Sequence, residues 1–204
     1  MDSDGGAVER LTTSDFNQVP QDWNLDGKTL VFYESNPTGG YDIRTLSLDR
    51  ERTVAPLVVT PFNEVSALFS PDGRSLAYVS DRSGRQEVYV QPFPGPGEPR
   101  QVSTDGGTEP VWARNGRELF FRQGEKMMAV DVALTPGFTA SRPRLLFEGR
   151  YEVSFLVTGQ RFYDVSPDGQ RFLMVKSDTP TAPRQLHLVV NWFEELKRLV
   201  PARK

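Results

Sequence analysis

The chain has 204 residues, of which 37% are hydrophobic and 25% charged, with 17 glycines and 16 prolines. That balance is globular and rich in turn residues; no run reaches the ~20 apolar residues of a membrane helix, and no basic start with an apolar run marks a signal peptide. Zero cysteines exclude disulfides, thiol catalysis and cysteine-held zinc, the single His187 excludes a two-imidazole metal site, and a net charge of −3 gives no basic footprint for nucleic acid. Composition leans away from an enzyme.

Taken in chain order, Val8–Thr12 reads as a strand standing alone before a repeating pattern. The repeat is announced by Trp23-Asn24-Leu25-Asp26-Gly27 and returns as Phe69-Ser70-Pro71-Asp72-Gly73, Trp112-Ala113-Arg114-Asn115-Gly116 and Val165-Ser166-Pro167-Asp168-Gly169. The turn glycines lie 46, 43 and 53 residues apart, close to the ~40–50 residues of a propeller blade. Asp26, Asp72, Asn115 and Asp168 read as turn-formers that bond their own backbone, and Gly27, Gly73, Gly116 and Gly169 as residues that accept a positive φ. Apolar runs follow each turn at Thr29–Tyr33, Ser75–Val79, Glu118–Phe121 and Arg171–Val175. Outer strands are predicted near Pro56–Val59, Arg100–Ser103 and Pro143–Phe147. Phe162–Val165 and Gln185–Val190 supply further strands of the last repeat, which lacks a fourth. Trp192–Val200 has helical spacing and is stopped by Pro201. The expectation is all-β: four four-stranded blades in one domain, with repeats at 13–60, 61–104, 105–148 and 149–190. Residues 8–12 close the last blade, and a short C-terminal helix spans 191–201. Closing the ring hides sheet edges that would otherwise stay unpaired.

The Ser-Pro-Asp-Gly turn followed by Leu76-Ala77-Tyr78-Val79-Ser80 resembles the TolB-like β-propeller repeat. Thr60-Pro61-Phe62-Asn63-Glu64, Glu87–Gly95, Val102–Gly107, Tyr163–Leu173 and Asn191–Leu196 extend the likeness. Together they resemble the C-terminal propeller of bacterial serine/threonine kinases and of membrane-anchored winged-helix regulators. The resemblance implies a sensing or recognition module of a signalling protein, outside the cytoplasmic membrane. With no export signal, and Met1 as the start, the expectation is instead cytoplasmic. Family propellers commonly carry six blades, so four repeats imply either an excised portion or a reduced version. The kinase motifs are absent, and kinase activity is not implied.

Inner strands of propellers line a central channel, and their entry loops form a rim. The matching segments are Gln18-Val19-Pro20, Glu64-Val65-Ser66, Gly107-Thr108-Glu109 and Gln160-Arg161-Phe162. From these, Gln18, Glu64, Glu109 and Arg161 are the candidate ligand-binding residues of a polar funnel, against the plainer reading of a water-filled rim. A glycosidase pair of Glu64 and Glu109 needs an apolar pocket to raise one carboxyl, and nothing in the sequence supplies one. Trp23, Phe69 and Trp112 recur at one position and read as packing between blades. His187 reads as a strand residue, Asp2-Ser3-Asp4-Gly5 as an incomplete calcium loop, and the proline-rich Gln91–Arg100 as a stiff connection. No cofactor or metal is expected. Partners are expected to be a protein or small ligand at the rim, without nucleic acid or membrane insertion, and the chain a monomer if the ring closes, otherwise a dimer. The function expected is non-enzymatic binding or sensing. The alternatives are a structural or dimerising fragment and, last, a propeller-based hydrolase.

Overall fold

In the computed structural model, which describes residues 8–49, 51–95, 97–152 and 160–176, every regular element is a strand. The first sheet runs β1 (Gln18–Trp23), β2 (Thr29–Ser35), β3 (Tyr41–Ser47) and β4 (Val54–Val58), paired antiparallel in chain order. The second repeats this with β5 (Glu64–Phe69), β6 (Ser75–Ser80), β7 (Glu87–Pro92) and β8 (Arg100–Gln101).

The third sheet holds β9 (Thr108–Trp112), β10 (Glu118–Gln123), β11 (Lys126–Ala133), β12 (Thr139–Ala140) and β13 (Arg144–Glu148). Its outer strand is broken in two. β12 pairs the end of β11 and β13 its beginning, with Ser141 between them bonding both the N–H and the C=O of Asp131. Pro143 has no N–H to continue a ladder, which favours a break here. The fourth sheet is described as β14 (Tyr163–Val165) and β15 (Phe172–Met174).

The sheets stack in chain order because their strands are apolar on both faces. Side chains alternate across a strand, so β6 sends Leu76 and Tyr78 toward the first sheet and Ala77 and Val79 toward the third. β10 does the same, with Leu119 and Phe121 packed toward the second sheet and Phe120 toward the fourth. This explains why all six residues of β6 are buried. A half-exposed sheet would alternate with polar residues instead.

The repeated turns are held by their own side chains. Asp26 Oδ1 accepts the Lys28 and Thr29 amides at 2.8 and 3.0 Å. Asp72 takes the Arg74 amide at 3.0 Å, Asn115 the Arg117 amide at 2.9 Å and Asp168 the Gln170 amide at 3.1 Å. Gly27 and Gly73 sit at φ of 65° and 70°, a region that costs an L-residue with a Cβ; Gly116 and Gly169 are similar.

Val8–Thr12 forms no strand. Arg10 Nε donates within the segment to Thr12 O, and the Thr12 hydroxyl donates to the Gln18 side chain. Leu11 and Phe16 lie along the outer face of the first sheet, near Leu30, Phe32 and Leu46. The expected last-blade strand Gln185–Val190, His187 within it, the helix at 191–201 and Asp2–Gly5 lie outside the described residues.

Candidate functional site

The inner strands β1, β5 and β9 stand side by side, and each is bulged. On β1 the register shifts between Pro20 and Asp22, on β5 between Val65 and Leu68, and on β9 opposite Phe120 and Arg122. A bulge sets two residues against one and re-aims the side chains beyond it. Ser66 and Glu109 occupy these bulges with φ of 57° and 53°, a rare conformation for residues with a side chain.

Where the strands meet, a cleft of about 390 Å³ is lined by Val19, Pro20, Gln21, Tyr33, Ser66, Leu68, Gln160 and Arg161. A second cleft, of about 590 Å³, shares Leu68 and Arg161 and reaches Asp22, Trp23, Trp112, Arg114 and Asp164. Asp22 spans the inner strands. Its Oδ2 accepts the Phe69 amide of β5 at 2.9 Å, and its Oδ1 the Trp23 amide at 2.9 Å. Burial pushes the Asp22 carboxyl up from its ordinary range, against those two amides and the Arg161 charge, which pull it down. Arg161 is exposed and, among the described residues, has no hydrogen-bond or ion-pair partner.

Of the four sequence candidates, Arg161 lines both of these clefts and Gln18, Glu64 and Glu109 line neither. Gln18 is half-buried, and its amide donates to Glu34 Oε1 at 2.8 Å. Glu64 is 1% exposed and accepts the hydroxyls of Thr60 and Ser80 at 2.6 and 3.0 Å. Glu109 is 2% exposed, and its Oε2 accepts the Phe162 amide at 3.0 Å. Its carbonyl accepts the buried Tyr163 hydroxyl at 2.7 Å. Glu109 therefore fastens the fourth sheet to the third, and only Arg161 faces the clefts. The expected funnel of two carboxylates and an arginine is corrected accordingly. Glu64 and Glu109 are also not equivalent: Glu64 pairs with Ser80 ahead of the bulge, whereas Glu109 sits in it, matching Ser66.

Asp22, Ser66 and Asp164 are cleft residues that the sequence argument did not single out, and Trp23 is one that it read as packing between blades. One signal was available. Asp22 and Asp164 each stand five residues before a turn glycine, and each accepts the amide of the next residue, at 2.9 and 2.8 Å. Of the recurring aromatics, Phe69 and Trp112 are buried between sheets, while Trp23 is 49% exposed.

No family model matches the chain. Among solved structures, TolB from Acinetobacter baumannii superposes with a TM-score of 0.55 at 20% identity, covering 79% of this chain and 38% of that one. A putative TolB from Agrobacterium tumefaciens gives 0.54 at 17% identity, covering 67% and 51%. This chain has a TolB-like β-propeller fold. The sheets are thus blades, stacked as propeller blades stack. The same architecture appears in a Mycobacterium tuberculosis puromycin-hydrolysing peptidase, with a TM-score of 0.50 at 17% identity over 88% of this chain and 32% of that one. The chain spans about half or less of each of these structures, and likeness at this identity speaks to fold alone.

Proposed function

We propose that this propeller is a non-enzymatic recognition module whose ligand, a small molecule or an extended peptide, enters the cleft between the inner strands at Arg161. The observation that carries this reading is the exposed guanidinium of Arg161, without a hydrogen-bond or ion-pair partner among the described residues, at the meeting of two clefts, one of which Gln21, Ser66 and Gln160 also line. A concave site with a few convergent polar groups on mainly apolar walls is what small-ligand recognition uses. The burial of Glu64 and Glu109 also favours binding over hydrolysis, since neither carboxyl can flank a bond in a substrate. The reading includes four blades in a closed ring, serving as the recognition end of a larger signalling protein.

The test is thermal stabilisation of the full chain by a panel of small carboxylates and short peptides. A ligand at ~100 times its Kd stabilises the fold by about 2.7 kcal/mol, a readable rise in melting temperature. Arg161→Ala abolishes that rise and leaves the ligand-free melt unchanged. No rise with any ligand, together with concentration-dependent association, would favour a structural or dimerising module instead.

A further inference from the structure

The two matching bulges of blades 2 and 3 use their positive φ differently. Glu109, at 53°, takes the Phe162 amide on Oε2 and the Tyr163 hydroxyl on its carbonyl, and so ties two blades. Ser66, at 57°, lies where β5 leaves its register with β6, between Val65 and Leu68. Its hydroxyl has no hydrogen-bond partner among the described residues, and it lines the smaller cleft. A residue with a side chain is strained at such a φ, and strain of this kind gathers at ligand clamps.

The two clefts that share Leu68 and Arg161 differ in charge. The smaller holds Arg161 with the polar side chains of Gln21, Ser66 and Gln160, and no Asp or Glu is among its described lining residues. The larger is balanced, with Arg114 and Arg161 against Asp22 and Asp164. Its acids are engaged: Asp22 accepts an amide on each oxygen, and Asp164 Oδ1 accepts the Val165 amide at 2.8 Å. Its wall carries two indoles. Trp112 is buried and donates its Nε1–H to the Leu68 carbonyl at 3.3 Å. Trp23 is 49% exposed, and Leu25 beside it in the cleft 72%. An anion on Arg161 thus meets donors without acids on one side and an open apolar wall on the other.

On the recognition reading above, we propose that the paired clefts take the C-terminal end of a peptide whose last side chain is large and apolar. The terminal carboxylate pairs with Arg161 in the smaller cleft and accepts the Ser66 hydroxyl. The last side chain crosses Leu68 and lies against Trp23 and Leu25 in the larger. A guanidinium fork matches the two oxygens of a carboxylate, and an indole gives a rigid face for an apolar body. Asp164 is exposed, and among the described residues only one of its oxygens is committed. It offers an acceptor for the N–H of the last residue, which a plain carboxylic acid lacks.

The experiment is calorimetric titration of the full chain with a short acetylated peptide ending in phenylalanine, the same peptide amidated at its C-terminus, and its serine-ended counterpart. The free acid binds about 10-fold or more tighter than the amide, because a charged hydrogen-bonded pair is lost in the latter. It also binds more tightly than the serine-ended peptide. Arg161→Gln removes the preference for the acid, and Trp23→Ala removes the preference for phenylalanine. A melt of each variant separates a lost contact from a lost fold. Equal binding of acid and amide by the wild type overturns the proposal, as does a preference for the acid that survives Arg161→Gln. Either result leaves the cleft as a recognition site for another ligand. Binding of N-acetylphenylalanine without binding of the peptide also overturns it, in favour of a small acid. Failure of all these probes overturns it too, and the recognition reading falls with it only when the wider panel of carboxylates and peptides also gives no stabilisation.

Discussion

Single residues decide whether the repeated turns can close, and two turn glycines separate the causes. A Cβ on Gly27 would meet no atom within 4 Å, so its only penalty is the positive φ. A Cβ on Gly73 would come within 2.5 Å of Asn24 Oδ1, in the preceding blade, whose amide donates to the Gly73 carbonyl at 3.2 Å. Gly27→Ala is therefore expected to cost about 1–2 kcal/mol, and Gly73→Ala more, because Asn24 must give way and its bond is lost. Urea midpoints of the two variants check this; equal midpoints would show that the Asn24 contact contributes nothing. The turns were legible in the sequence because each depends on local chemistry within five residues. The cleft was not, since its side-chain directions depend on a bulge. An extra residue at Gln21, Ser66 or Glu109 reverses the alternation that a strand otherwise enforces. Glu109 and Ser66 each stand three residues before their aromatic, Trp112 and Phe69, and Glu64 stands five before; taking the three-to-five-residue window as one rim position grouped Glu109 with Glu64, where the fold matches it to Ser66.

At the scale of the strand, Tyr163 ties the described part of the fourth blade to the third. Tyr163 of β14 reaches the Glu109 carbonyl of β9, and its ring packs with Phe120, Met127 and Ala129. Tyr163→Phe keeps the ring and removes the hydrogen bond, for an expected loss of about 1 kcal/mol. Burial holds the Tyr163 hydroxyl well above the ordinary value of 10.0, and the negative charge of Glu109 adds to this. Stability tied to that neutral phenol persists below its folded titration and is lost in stronger alkali. An ultraviolet titration at about pH 11 should record tyrosinate from fewer than all six tyrosines, with full amplitude only in denaturant. Complete ionisation of the folded chain would contradict the buried placement. Strand positions were the most legible feature at this scale. Apolar runs that follow the Asp-Gly and Asn-Gly turns mark β2, β6 and β10 to within two residues. The split of the third outer strand was invisible, because it depends on Ser141 bonding to Asp131 across the sheet.

For the molecule as a whole, the architecture follows from strands that are apolar on both faces, which only stacking between neighbours can cover. Blade 4 still shows Leu173 at 75% and Val175 at 48% exposure, and Leu11 and Phe16 lie on the opposite end of the stack, against blade 1. A ring of four blades brings such end faces together and predicts a monomer of 23.0 kDa. Light scattering on the eluting chain checks the mass. A dimer or a ladder of higher species would mean that the end faces meet those of other molecules.

The tie between Asn24 and Gly73 makes the repeat units non-interchangeable at that junction. At the place of Asn24, the later units carry Ser70, Ala113 and Ser166, none with an amide to offer the following turn. A copy of the second unit spliced in place of the first would bring Ser70 to that junction and leave the Gly73 carbonyl without its donor. The first unit is thus fitted to the turn of the second, and exchanging it for another copy would require that junction to adapt.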